Sequence, residues 1–196
     1  AARNGEPFEA LIAQRNGMLP NQVTRYCSSE LKTRTMHRYL RWSGWAEWDT
    51  FIGIRADEPR RVAKFRANPR PETKSEEISV PLADAAVTKH AVSTFWRSMP
   101  FDLELPNVGG ITPAGNCSLC FLKPPLRVMS LIAEKPSRAT WWIAQEEKAK
   151  ATATTPFGAR FADDRPSYSA MLNNVASQQD FIGHNNEEAI ACFCGD

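Results

Sequence analysis

The chain has 196 residues, of which 42% are hydrophobic and 23% charged, a balance that supports a packed core and excludes wholesale disorder. A net charge of +2 is too small to argue for a polyanionic partner by itself. No apolar run reaches the roughly 18–20 residues that span a bilayer, and no secretory signal opens the chain, so no membrane partner is expected.

Taken in order, the stretch from Ala1 to Pro7 has no initiator Met and reads as the interior of a loop, so an N-terminal portion is expected to precede it. Pro7 in a first-turn position, with Phe8, Leu11 and Ile12 at helical spacing, predicts a helix from Glu6 to Gln14 that Asn16-Gly17 ends. Ser28 or Ser29 is expected to cap a helix running to Trp42, which leaves Cys27 just before its N-terminus, where backbone N–H groups favour a thiolate or a bound anion. Asp49 to Arg55 reads as a short strand suited to a buried parallel position. It leads into a charged loop, Ala56 to Arg61, at the edge where open α/β sheets bind ligands.

Residues 66–78, with two prolines and mixed charge, read as an exposed excursion, and Val80 to Leu82 as a short extended piece. Thr88 predicts a capped helix to Ser98 that buries Val92, Phe95 and Trp96. Pro124-Pro125 opens a helix to Glu134 and Pro136 another to Lys150, anchored by Trp141, Trp142 and Ile143. Ser167 to Val175 reads as a helix, and the chain ends in a cysteine-bearing tail. The six tryptophans are expected to fill the core and its margins rather than to stack bases. His37, His90 and His184 lack metal-ligand spacing and are assigned structural or surface roles.

Chemistry concentrates in the cysteines. Cys117 and Cys120, three residues apart after Gly115-Asn116, can point at one centre, and Cys27 offers a third sulfur. Thiolates are soft ligands suited to zinc or to iron–sulfur iron; Cys192 or Cys194 would complete the set, or the fourth position would be left to substrate. A tight C-x2-C turn is a poor place to bury apolar surface, which argues against small buried hydrophobes. On the residues alone, zinc and a [4Fe–4S] cluster both stay open. Five cysteines without a secretory signal fit a reducing compartment, so a cytoplasmic location is expected. Arg25, Lys32, Arg34, Arg55, Arg60 and Arg61 form a basic series able to hold a phosphate or sulfate, the alternative being a solvated charged face. Asp57 and Glu58 would neutralise these arginines, or meet magnesium or a ribose hydroxyl.

Three segments occur in a fixed order: Thr24-Arg25-Tyr26-Cys27-Ser28-Ser29-Glu30-Leu31-Lys32, then Gly53-Ile54-Arg55-Ala56-Asp57-Glu58-Pro59-Arg60-Arg61, then Gly115-Asn116-Cys117-Ser118-Leu119-Cys120-Phe121-Leu122-Lys123. Together they resemble the phosphoadenosine-phosphosulfate reductase family, in the branch common in phages and mobile elements, among the adenine nucleotide alpha-hydrolase-like (PP-loop) proteins. The resemblance implies a partial doubly wound α/β sheet with a helical, cysteine-bearing C-terminal region. It divides the chain into 1–65, the C-terminal part of a nucleotide-binding domain; 66–150, a helical region with the Cys-x-x-Cys turn; and 151–196, an irregular tail.

It further implies an adenine nucleotide or sulfonucleotide substrate, and a [4Fe–4S] cluster on Cys27, Cys117 and Cys120, whose missing fourth ligand the tail would supply from Cys194. Arg25, Lys32, Arg55 and Arg61 would lie at the substrate's phosphosulfate or phosphate end, with Asp57 and Arg60 as further substrate-binding candidates. The activity implied is sulfonucleotide reduction or sulfur transfer, with DNA or tRNA as further candidate substrates. The family's Ser-Gly-Gly-x-Asp-Ser loop and its Glu-Cys-Gly-Leu-His tail are absent from this sequence, and no catalytic residue is assigned. The contrasting reading is a zinc-stabilised module that binds nucleic acid or a protein partner without catalysis. A sheet edge left open by absent strands would favour self-association.

Overall fold

Two four-residue strands set the character of one half of this protein. In the computed structural model, which describes residues 4–67, 74–102, 104–106, 112, 115–152 and 158–177, β1 (Trp48–Phe51) pairs in parallel with β2 (Glu76–Ser79). The register sets Trp48 beside Glu76 and Phe51 beside Ser79. Parallel neighbours require a crossover connection, and α4 (Pro59–Ala67) lies within it. The protein is therefore mixed α/β, with two strands among the described residues.

The chain forms two compact units, one spanning Thr35–Leu105 and the other built from the residues up to Arg34 and again from Pro106 onward. Packing defines these units and motif order defined the expected ranges 1–65, 66–150 and 151–196, so the two sets of boundaries do not coincide.

The sheet unit also contains α3 (Arg34–Trp42) from Thr35 on, α5 (Pro81–Asp84) and α6 (Lys89–Ser98). Its interior is held by a polar group as well as by apolar side chains. Glu76 on β2 accepts a hydrogen bond from Thr50 Oγ1 at 2.6 Å and lies 3.3 Å from His37 Nε2 of α3. The His37 ring sits 5.1 Å from that of Trp48. A charged side chain surrounded by partners is tolerated in a core because each lone pair lost from water is replaced.

This group accounts for a strand, β2, where the sequence predicts an exposed excursion. Glu76-Glu77 looks like a solvated pair, yet Glu76 is buried and only Glu77 faces water. α4 was likewise read as part of a charged loop, but Pro59 supplies the fixed φ that opens a helix there. On α6, Thr88 caps as expected, its Oγ1 accepting from the Ala91 N–H at 3.3 Å. Phe95 and Trp96 do not bury, however, and form an exposed edge-to-face cluster with Phe101.

The cysteine-bearing unit contains α1 (Glu6–Gln14), α2 (Tyr26–Ser28) with a π-helical turn (Ser29–Thr33), and α7 (Pro125–Glu134). A 3₁₀ turn (Pro136–Ala139) then leads into α8 (Thr140–Thr152), and α9 (Tyr168–Ser177) follows. Its core joins Ile12, Leu119, Phe121, Val128, Ile132, Trp142, Phe161 and Met171. Phe161 is the hub of an aromatic cluster, with ring centroids 4.8 Å from Trp142 and 5.7 Å from Tyr168. Glu146 of α8 is buried here and accepts from the Tyr168 N–H at 3.0 Å and from the Phe161 N–H at 3.4 Å, so a carboxylate on one helix caps the next.

Of the six tryptophans, Trp48 and Trp142 are buried and Trp141 packs against the core, but Trp42, Trp45 and Trp96 are exposed. The expectation that the tryptophans fill the core and its margins therefore holds for Trp48, Trp141 and Trp142 and is corrected for the other three. His37 is a buried structural residue, His90 is exposed and His184 lies outside the described residues. No helix among the described residues is long and apolar enough to cross a membrane.

Candidate functional site: a cysteine-lined cavity

α2 is positioned by the turn before it. The Asn21 carboxamide oxygen accepts from the N–H groups of Val23 and Thr24, each at 2.9 Å, and the Tyr26 hydroxyl donates to the Met18 carbonyl. Helical geometry begins at Tyr26 with Arg25 as the flanking residue, earlier than a Ser28 or Ser29 cap would set it. Ser28 is buried, and the Ser29 hydroxyl donates to the Tyr26 carbonyl at 3.1 Å instead of capping. Cys27 is thus inside the first turn rather than before it.

The second cysteine segment is a turn whose carbonyls are nearly all engaged. Asn116 takes a left-handed φ of 62°, a conformation its side chain tolerates better than most. The Cys120 N–H donates to the Cys117 carbonyl at 3.2 Å. Lys123 Nζ donates to the Ser118 carbonyl at 3.1 Å, and the Tyr168 hydroxyl to the Leu119 carbonyl at 2.5 Å. Arg165 in turn donates to the Lys123 carbonyl at 2.6 Å. Leu119 drives fully into the core, which turns Cys120 inward while Cys117 stays exposed.

These two segments meet around one cavity of about 280 Å³. Cys27, Cys117 and Cys120 line it together with Arg25 and Lys32, and Phe8, Phe121 and Trp142 form apolar walls. None of the three thiols is in a disulfide. Among the described residues they are not drawn into a metal-ligating group of three. Three soft sulfurs opening on one largely apolar cavity nevertheless fit, in donor chemistry, a thiophilic centre. Cys194, the expected fourth ligand, lies outside the described residues, as does Cys192.

Lys123 is only 3% exposed. Burial lowers its ammonium pKa below the usual lysine range, while negative charge at the Cys120 and Cys117 sulfurs acts in the opposite direction. Burial likewise raises the Tyr168 phenol well above its ordinary value, reinforced by the Cys120 sulfur. The turn is therefore framed by a cation and a neutral hydroxyl donor.

The motif order of the sequence did not single out Lys123, Tyr168 or Arg165 for a role, because each works through a backbone carbonyl. The one available signal was Lys123 closing the Cys-x-x-Cys segment. Tyr168→Phe would leave the buried Leu119 carbonyl without its donor. An expected loss of about 1–3 kcal/mol in urea unfolding would report it, and an unchanged midpoint would show that the bond contributes nothing.

Arg55, Asp57, Arg60 and Arg61 belong to the sheet unit, where Arg55, Asp57 and Arg61 cluster with Glu58. Arg55 Nε donates to Asp57 at 2.9 Å, and its guanidinium lies 3.6 Å from Glu58, which also pairs with Arg61. Asp57 also accepts from the Lys89 N–H at 2.9 Å, tying this loop to the start of α6. That bond, aided by Arg55, holds the Asp57 carboxyl below the usual carboxylate range. Of the two roles weighed for Asp57 and Glu58, the geometry displays neutralisation of the arginines. Arg60 is exposed.

No protein-family model matches this chain, and no solved structure matches it significantly. A stretch of 104 residues is 30% identical to the "Uncharacterized nin region protein ORF290" of Escherichia phage lambda. The matched stretch is 53% of this chain and 31% of that protein, so the chain spans about a third of the length of the relative it matches.

Proposed function

We propose that this chain is the cysteine-bearing part of a phosphoadenosine-phosphosulfate reductase-like protein, acting on an adenylylated or sulfur-bearing substrate beside an iron–sulfur cluster. The observation that carries this reading is the convergence of Cys27, Cys117 and Cys120 with Arg25 and Lys32 on one cavity, from segments about ninety residues apart in sequence. Two further features support it. β1, α4 and β2 form a parallel crossover of the kind from which a doubly wound sheet is built. The relative from phage lambda accords with the phage branch of the family.

In this reading Cys27, Cys117 and Cys120 hold the cluster, with Cys194 as fourth ligand. The bound cluster would supply redox chemistry or, with the fourth position left to substrate instead of Cys194, an open iron for sulfur. The protein's own residues do the rest. Arg25 and Lys32 attract and orient the anionic end of the substrate. Phe8, Phe121 and Trp142 keep water from the buried Cys120 sulfur, and low local polarity there strengthens each charge contact. Lys123 offsets the negative charge that thiolates would bring to the turn.

The test is anaerobic purification followed by iron, sulfide and zinc analysis of the chain and of its Cys27→Ser and Cys117→Ser variants. The expected result is about four irons and four sulfides per chain, lost in both variants. One zinc and no sulfide would replace the cluster by a structural site, and absence of both would end the proposal.

A further inference from the structure

α3 presents to solvent the side chains that a soluble helix ordinarily hides. Trp42 is 82% exposed and Tyr39 63%, and the two rings lie 6.0 Å apart, tilted by 37°. Arg38 and Arg41 alternate with them and are themselves exposed. Arg41 is held over the buried Trp48 ring, its guanidinium carbon 5.8 Å from the centroid. Neither Arg38 nor Arg41 forms an ion pair among the described residues.

Charge is sorted in this part of the chain. Helices α3, α4 and α6 together carry nine Arg or Lys and no Asp or Glu, although the sequence as a whole is nearly balanced. Among the described residues, the acidic side chains of the sheet unit lie in its strands, loops and α5, where several answer cations from outside α3, as Glu58 answers Arg61 and Asp84 answers Arg66.

We propose that the outer face of α3 binds single-stranded nucleic acid, with Tyr39 and Trp42 stacking on bases and Arg38 and Arg41 meeting phosphates. Aromatic platforms interleaved with cations are what unpaired strands require, because every base has a π face and every linkage a negative charge. A second copy of this chain fits the face poorly. Self-complementary docking would set one acid-free arginine surface against another, and like charges repel. A rigid duplex, whose bases are already stacked, could use the arginines but not the rings.

The proposal is independent of the cysteine cavity and is tested on the full chain by fluorescence anisotropy with a labelled 20-nucleotide oligothymidylate, an oligouridylate and a duplex of equal length. Both single strands are expected to bind, more tightly than the duplex, with affinity that falls as salt rises. Trp42→Ala and Tyr39→Ala should each weaken binding by at least about fivefold. Arg38→Gln should lower the salt slope by about one. All three side chains are exposed, so unchanged circular dichroism and unchanged iron content would show that folding and the cysteine site are untouched.

Failure of either strand to saturate would overturn the proposal. So would binding that heparin or duplex matches and the ring variants leave unaltered, since that is generic attraction of a polyanion. Sedimentation showing a dimer that Trp42→Ala dissociates would reassign the face to a protein interface.

Discussion

Replacing Phe161 by Ala is expected to destabilise the cysteine-bearing unit by about 3–5 kcal/mol, the usual cost of removing a buried aromatic ring. Phe161 is fully buried, and its centroid lies within 6.4 Å of those of Phe8, Phe121, Trp141, Trp142 and Tyr168. Removing it leaves a void that five large rings cannot close without leaving their rotamers, and the lost contacts are not recovered. Three of those neighbours, Phe8, Phe121 and Trp142, also wall the cysteine cavity. If the cavity holds the cluster proposed above, the variant should therefore lose iron retention along with stability. Phe161→Leu, which keeps most of the volume, should cost less and retain more iron. Urea unfolding and iron analysis of both variants check the pair of expectations, and equal effects from Leu and Ala would contradict a packing origin.

Glu146→Ala is expected to cost about 2–4 kcal/mol by a different route. The substitution removes the acceptor of two buried N–H groups, those of Phe161 and Tyr168, and each orphaned donor forfeits about 1–3 kcal/mol. Burial raises the Glu146 carboxyl above its ordinary value, against the pull of those two hydrogen bonds. A raised acid binds its proton more tightly when folded than when unfolded. The stability linked to that proton is therefore complete below the ordinary carboxylate value, about 4.3, and is lost as pH rises through the raised folded value. Wild type should accordingly lose stability relative to Glu146→Gln between acid and neutral pH. A difference between the two that is flat with pH would show that Glu146 does not titrate differently in the two states.

The candidate site was legible to the extent that its residues carry their chemistry in their identity. Cys27, Cys117 and Cys120 are the right atoms for a thiophilic centre wherever they lie, and Arg25 and Lys32 occur in the same segment as Cys27. That these five share a cavity is a tertiary fact, but one a motif pattern can anticipate. Tyr168 and Arg165 left no trace in the pattern because each acts on a carbonyl, which every residue possesses. The arginines of the second motif show the converse. Arg55 and Arg61 look like anion ligands in a string of letters, yet Asp57 and Glu58, two and three residues away, already occupy them.

By itself the sequence determined where most helices begin and end. Pro7, Thr88 and Pro125 act through φ or through an orphan N–H within one turn of their own position, so α1, α6 and α7 need nothing distant to be recognised. Burial was decided by the tertiary structure alone. Glu76 is inside because Thr50 and His37 meet it there, and Glu146 because two N–H groups of α9 and its approach require an acceptor. Trp42 and Trp96 are outside because the rings they touch, Tyr39 for the one and Phe95 and Phe101 for the other, are themselves exposed. Hydrophobicity sets what a side chain gains on leaving water, but whether it can leave depends on surfaces contributed by residues tens of positions away.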